Sequence, residues 1–330
     1  MAKVSVIGAG SWGTAVAWLL DGKEHTVTLW AFEPEIADAI NASGRNPIYL
    51  PHVQFSDRTT ASSDIAKALK GAEAVVMVTP SIGVRRVAEK MAAVLPADTP
   101  VVILSKGLES GTSLLMTEIL EELLGNPARI AALSGPNHAE EVSRAVPSAT
   151  VVAAHTQETA SYFQQLFSTP FFRVYTNTDL TGVELCGAGK NVIAIACGLC
   201  DGLGLGDNAK ASLMTRGLAE LVRLGKARGA QTETFMGLAG MGDLIVTCTS
   251  KHSRNRTLGE ELARGGTLDG YQKRTKMVVE GAVACASIYE LAQACGIEVP
   301  ITQLIYQILY EGFDAELGAS LLMTRPLKQE

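Results

Sequence analysis

One lysine stands inside an otherwise apolar stretch, at Gly187-Ala188-Gly189-Lys190-Asn191 within residues 180–199. An ammonium with long apolar flanks is costly unless it is paired or functional, and a buried lysine is suited to moving a proton. A second lysine, Lys106, follows the β-rich run 100–104 in Ser105-Lys106-Gly107-Leu108-Glu109. At the carboxyl end of a strand such a cation can hold a phosphate or a carbonyl oxygen. Another β-rich run, 129–133, leads into Ser134-Gly135-Pro136-Asn137-His138-Ala139. Gly135-Pro136 makes a rigid turn there, and Asn137 either caps the next helix or meets a ligand. Farther on, Gly240-Met241-Gly242-Asp243 precedes the run 244–247, and Ser253-Arg254-Asn255-Arg256 presents a fork-shaped cation with hydroxyl and amide neighbours. Arginine binds phosphate bidentately, so a phosphate grip is the economical role of this loop. A helix N-terminus with Ser253 as its cap is the plainer one.

These groups need elements to position them, and the first is explicit. Gly8-Ala9-Gly10-Ser11-Trp12-Gly13 lies between an apolar, strand-like run at 3–7 and a helical run at 14–20. In that context Gly8 allows a tight turn, Gly10 lets backbone approach a pyrophosphate, and Gly13 lets helix and sheet pack closely. The helix N-terminus then favours the bound anion. The expected ligand is a dinucleotide. Glu33, about 20 residues on, is placed either to bind the adenine ribose hydroxyls, which favours NAD, or to start the helix at Pro34. A 2′-phosphate would call for a nearby cation, and Arg45 is available in the next loop, so NAD and NADP both stay open.

Strand-like runs at 26–30, 74–79, 100–104 and 129–133 alternate with helical patterns at 34–42, 82–94 and 113–124, and runs at 148–154 and 171–175 extend the series. The alternation predicts an α/β, Rossmann-type domain with a parallel sheet, over residues 1–180. Beyond it, helical patterns at 180–199, 208–228, 255–264, 278–294 and 301–310 predict an all-helical, substrate-binding domain over residues 181–330. Ligands of open α/β sheets bind outside the carboxyl ends of the strands, so the catalytic cleft is expected between that edge and the helical domain.

The 330 residues are enough for two domains, and 47% apolar with 19% charged residues is a globular balance. A net charge of −6 argues against a nucleic-acid surface. No uninterrupted apolar run reaches membrane-span length, and the first strand leaves no room for a signal peptide, so a cytoplasmic protein is expected. Cys197 and Cys200 form a CxxC pair, but no second pair or His couple completes a zinc site. Buried free thiols are the expected role, and no metal is implied.

Taken in order, Gly8-Ala-Gly-Ser-Trp-Gly-Thr-Ala15, Ser105-Lys-Gly-Leu-Glu109, Ser134-Gly-Pro136, Gly189-Lys-Asn191, Thr215-Arg-Gly-Leu218, Gly240-Met-Gly-Asp243 and Ser253-Arg-Asn255 resemble the bacterial NAD(P)-dependent glycerol-3-phosphate dehydrogenase family over essentially the whole chain. The resemblance implies reversible reduction of dihydroxyacetone phosphate to sn-glycerol 3-phosphate by NADH or NADPH, with Lys190 as proton donor and acceptor and Asp243 orienting it. It also implies that Lys106 touches both cofactor and substrate. Gly135, Asn137, Asp243, Ser253, Arg254 and Asn255 would surround the substrate, with Asn191 and Thr247 in the same pocket. Ser11, Trp12, Phe32, Ala139, Arg254, Val278 and Glu280 would line the cofactor. Phe32 stands where many relatives carry a basic residue or histidine, which weakens NADP preference and leaves Glu33 as an argument for NAD. A homodimer supplying glycerophospholipid synthesis is the family's expectation. Two other readings compete: a dehydrogenase of another hydroxy acid or hydroxy phosphate, and a nucleotide sensor without turnover.

Overall fold

The computed structural model describes residues 1–275, 278–327 and 329. They fall into two units: residues 1–106 with 114–184, and residues 107–113 with 185–330. The short segment after Lys106 thus belongs with the second unit.

The first unit is built on β1 (Lys3–Ile7), α1 (Ser11–Gly22), β2 (Thr26–Trp30), α2 (Pro34–Ser43), β3 (Thr59–Ser62), α3 (Ile65–Leu69), β4 (Ala74–Met77) and α4 (Val84–Ala92). It continues through β5 (Val101–Ile103), α5 (Met116–Leu124), β6 (Ile130–Ser134), α6 (Ala139–Val142), β7 (Ser148–Ala154), α7 (Gln157–Phe167) and β8 (Phe172–Asn177). The strands form one sheet in the order β3-β2-β1-β4-β5-β6-β7-β8. All of β4, β5 and β6 and four of the five residues of β1 are buried, as expected for strands covered on both faces. Pro34 starts α2 with its fixed φ, and Gly44, at φ 65°, ends it in the left-handed region.

The sheet is not parallel throughout. β7 pairs antiparallel with β6, Ser134 lying opposite Val151, and β8 then runs parallel to β7. Strand direction has no local sequence signature, so an all-parallel reading extends too far here. The short, polar β3 was not expected either; it pairs with β2 from Val27↔Thr59 to Trp30↔Ser62. The order reverses direction between β1 and β4: β1 lies between β2 and β4, its Ile7 opposite Trp30 of one and Met77 of the other. That reversal is the switch point at which open α/β sheets bind ligands.

The division between units falls inside α8 (Leu180–Gly202). After it come α9 (Asp207–Ala227), α10 (Thr232–Met236), α11 (Asp243–Thr249), α12 (Arg254–Leu262), α13 (Leu268–Thr275), α14 (Glu280–Cys295), α15 (Pro300–Tyr310) and α16 (Ala315–Met323). Among the described helices α8 alone is long and apolar enough to cross a membrane, with a mean hydropathy of 1.4, yet its apolar window is wholly buried in the protein. An apolar surface all round is what a central core helix needs. Its close approach to α9 depends on glycine: a Cβ on Gly189 would lie 2.2 Å from Leu221 Cδ2. Ile193, Ala194, Cys197, Leu218, Leu221, Phe235, Leu244 and Cys248 build the core around this contact. Each large apolar side chain buried there contributes about 1.5–3 kcal/mol.

Candidate active site

The glycine turn of the first unit has the form its spacing requires. Gly8 adopts φ +126°, and a Cβ there would meet the Val78 carbonyl oxygen at 2.7 Å. On Gly13 a Cβ would lie 1.8 Å from the Gly8 carbonyl oxygen, so only glycine lets α1 start so close to the turn. Gly10 differs: a Cβ there would find nothing within 4 Å. It precedes α1, whose first turn has no side-chain cap, beside the switch point. These features fit the pyrophosphate of a dinucleotide. Ser11 and Trp12 form the first turn of α1, and the Trp12 ring packs 6.4 Å from Phe172.

Phe32 follows β2 and is 61% exposed. Glu33 is the residue before α2 and makes no side-chain cap bond, so its carboxylate is not used to start the helix. Arg45 does not turn toward Glu33; its Nε donates to Gln54 Oε1 at 2.6 Å and Nη1 to the Pro51 carbonyl at 3.4 Å.

Two of the segments singled out above meet in this unit. Lys106 Nζ donates to the Gly135 carbonyl at 3.2 Å. Asn137 does not cap α6, whose cap position is His138. Its Nδ2 instead donates to the Ala149 carbonyl at 3.1 Å, and its buried Oδ1 has no hydrogen-bond partner among the described residues. Nearby, a Cβ on Gly135 would come within 2.8 Å of Thr150 Oγ1, and Ala139 is buried at the start of α6. An orphaned amide oxygen beside a lysine and a glycine turn is an arrangement that can receive a polar ligand.

In the second unit Lys190 is 7% exposed and Asp243 1%. The Lys190 ammonium pairs with Asp243 Oδ1 and donates to Thr247 Oγ1 at 2.8 Å. The Thr247 hydroxyl donates in turn to the Asp243 carbonyl at 2.6 Å. Its proton is committed to the helix, so a lone pair is held toward the ammonium. α11 makes this possible by presenting Asp243 and Thr247, four residues apart, on one face. The lysine left unaccounted for by its sequence neighbours is thus compensated from more than fifty positions away.

A second polar chain lies beside it. Asn255 Nδ2 donates to Asn191 Oδ1 at 2.9 Å, and Asn255 Oδ1 accepts from the Gly281 N–H at 3.0 Å. Asn191 Nδ2 donates back to the Gly187 carbonyl at 3.3 Å. The α8, α12 and α14 segments are tied together through the amide of Asn255. Ser253 caps α12, accepting from the Arg256 N–H at 3.3 Å, and Arg254, exposed, is the first residue of that helix. Val278 and Glu280 sit half-buried at the start of α14.

The two cysteines of the CxxC pair have different hydrogen-bond partners. A hydrogen bond with Cys197 and burial push the Cys248 thiol up, while Cys200 Sγ donates to the Gly206 carbonyl at 3.7 Å. Both CxxC cysteines are buried, and among the described residues no three His, Cys, Asp or Glu side chains are grouped to hold a metal.

Sequence reasoning missed Asn46. It is fully buried, donating from Nδ2 to the Ala9 carbonyl at 2.8 Å and to Thr14 Oγ1 at 2.9 Å. Its Oδ1 accepts from the N–H groups of Ile48 and Tyr49. Asn46 therefore clamps the glycine turn from outside it. A lone asparagine in the loop after α2 carries no pattern that would reveal this. Gly281 was missed too; a Cβ there would stand 2.6 Å from Asn255 Oδ1.

The chain matches the models of the NAD-dependent glycerol-3-phosphate dehydrogenase N-terminus over residues 3–160 and C-terminus over residues 179–318. A glycerol-3-phosphate dehydrogenase (NAD(P)+) of Moorella thermoacetica is 50% identical over 99% of this chain and 97% of its own. One of Citrifermentans bemidjiense is 47% identical over 99% and 98%. The crystal structure of glycerol-3-phosphate dehydrogenase from Coxiella burnetii superposes with a TM-score of 0.94 at 38% identity, covering 98% of this chain and 99% of that one. With a glycine turn at the sheet's switch point and a buried, carboxylate-paired lysine in its helical unit, the chain belongs to the NAD-dependent glycerol-3-phosphate dehydrogenase family.

Proposed function

We propose that this oxidoreductase reversibly reduces dihydroxyacetone phosphate to sn-glycerol 3-phosphate with NADH or NADPH. The observation that carries the reading is the buried Lys190 ammonium, fixed by Asp243 and Thr247 in a chain of this family. The reduced nicotinamide, when bound, supplies the hydride to the carbonyl carbon. Lys190 Nζ gives a proton to the carbonyl oxygen and takes it back in the reverse direction. Before that transfer its positive charge stabilises the oxyanion that develops there. Asp243 and Thr247 hold the Nζ in one place, so little reorganisation accompanies the proton's movement. Arg254 and Asn255 grip the substrate phosphate, and Lys106, Gly135 and Asn137 are assigned to the substrate by family resemblance. Asn191 buttresses Asn255, and Ser253 sets the start of the helix that carries Arg254. Binding energy at the phosphate, remote from the reacting carbon, then serves to align the carbonyl. Gly8, Gly10, Ser11, Trp12, Gly13, Phe32, Glu33, Ala139, Val278 and Glu280 line the cofactor. A cytoplasmic homodimer whose product feeds glycerophospholipid synthesis is supported by family likeness alone.

The test is to follow absorbance of the reduced nicotinamide with dihydroxyacetone phosphate, running NADH and NADPH in parallel. Rapid oxidation dependent on the ketone phosphate is expected. Protein that binds either cofactor but oxidises neither with this substrate would overturn the assignment in favour of another substrate or a sensor.

A further inference from the structure

We propose that Arg86 is the specificity-determining residue that admits the 2′-phosphate of NADPH, working against Glu33. The proposal rests on the cofactor reading above. Phe32 is the exposed residue two positions beyond the end of β2, where the adenine ribose of a dinucleotide lies in this fold. Its ring packs against Trp30 in a T-shaped pair, with centroids 6.3 Å apart and planes at 74°. Over its face lies the Arg86 guanidinium, 5.9 Å from the centroid. Arg86 belongs to the first turn of α4, the helix that follows β4, and β4 is the strand that adjoins β1 across the switch point.

Phenylalanine itself cannot bind phosphate, but it orients a planar guanidinium and leaves the N–H donors at the rim available. Other cations of this region are committed elsewhere. Arg45 is held by Gln54 and Pro51, Arg58 by Asp21, and the neighbouring Arg85 is bonded to both carboxylate oxygens of Glu122. Arg86 forms no ion pair among the described residues and is exposed. Glu33, one residue beyond Phe32, is matched to a free ribose hydroxyl and repels a 2′-phosphate. One acid and one ring-mounted cation at the same strand end therefore set the two cofactors against each other.

The experiment compares Arg86→Ala, Arg86→Lys and wild type in steady-state kinetics with each cofactor. Direct titrations of NADH and NADPH by nicotinamide fluorescence, and competition by adenosine 2′,5′-bisphosphate against 5′-AMP, accompany them. Arg86→Ala should raise KM and Kd for NADPH about tenfold, the loss of one charge-assisted phosphate contact. NADH and 5′-AMP should change less than twofold, kcat should hold, and Arg86→Lys should recover part of the NADPH affinity. Equal weakening of both cofactors would overturn the proposal and make Arg86 an adenine platform. No change with either would place it outside the site. Because the titrations need no turnover, they report on Arg86 even if dihydroxyacetone phosphate proves to be the wrong substrate.

Discussion

Lys190 Nζ and Thr247 Oγ1 stand 2.8 Å apart, and the hydroxyl's own proton is spent on the Asp243 carbonyl. The ammonium is thus held by two groups of one helix, one charged and one neutral. Lys190→Ala should lower kcat by a factor on the order of 10²–10⁴, the usual worth of a positioned proton donor, with NADH affinity nearly unchanged. It also strands a carboxylate that is 1% exposed, at a cost of about 3–5 kcal/mol. Adding Asp243→Asn should therefore restore much of the melting temperature to the Lys190→Ala protein without restoring turnover. Turnover surviving in the single variant would remove Lys190 from the chemistry.

Arg254 separates from its helix-capping neighbour in the same way. Arg254→Ala should raise KM for dihydroxyacetone phosphate about tenfold to a hundredfold, since a hydrogen bond to a charged group is worth about 1.5–3 kcal/mol. Ser253→Ala loses the cap bond to Arg256 N–H and should cost about 0.5–2 kcal/mol of stability. Kinetics with thermal melts on both variants distinguishes the two roles. An Arg254 effect confined to the cofactor would contradict the phosphate grip.

The glycine turn offers a contrast between two positions three residues apart. Gly10→Ala adds a methyl into open space at an ordinary φ of −72°, so the fold should keep its melting temperature. On the cofactor reading proposed above that space takes the pyrophosphate, and Kd for NADH should rise about tenfold or more. Gly13→Ala drives a methyl to 1.8 Å from the Gly8 carbonyl oxygen and should destabilise the protein outright. Unaltered NADH binding by Gly10→Ala would show that the dinucleotide does not approach this turn.

What could be read before folding was what the local pattern encodes. Apolar runs of four or five residues marked the central strands, because β1 and β4 are buried on both faces. Lys190 was conspicuous because its flanks are apolar. Its pairing with Asp243 came only with the family resemblance, since nothing local says that Asp243 would be folded back onto it from 53 positions away. Asn46 escaped for the same reason: its bonds to Ala9 and Thr14 span more than thirty residues. Arg45 looked available because it stands near Glu33 in sequence, whereas Gln54 takes it in the folded chain. The phenylalanine–arginine pairing of Phe32 with Arg86 likewise exists only once β2 and β4 flank the same strand.

Glu184 gives a prediction in pH. Burial pushes its carboxyl up to about 8, with Glu118 and Glu121 adding to the rise and the bonds from Thr117 opposing it. Its partners are the Thr117 N–H, at 3.1 Å, and the Thr117 hydroxyl. Between the ordinary glutamate value of 4.5 and about 8 the folded chain holds a proton that the unfolded chain has released. Stability from this group is therefore complete below about 4.5 and is lost as pH rises through 8. Glu184→Gln keeps an oxygen for the Thr117 N–H and an amide donor for the hydroxyl, but cannot ionise. Its melting temperature should match wild type at pH 5 and exceed it at pH 9. Glu220, raised to about 7 by burial, contributes to both proteins alike, so the difference between the two curves isolates Glu184. Curves that run parallel from pH 5 to 9 would show that Glu184 takes up no proton on folding.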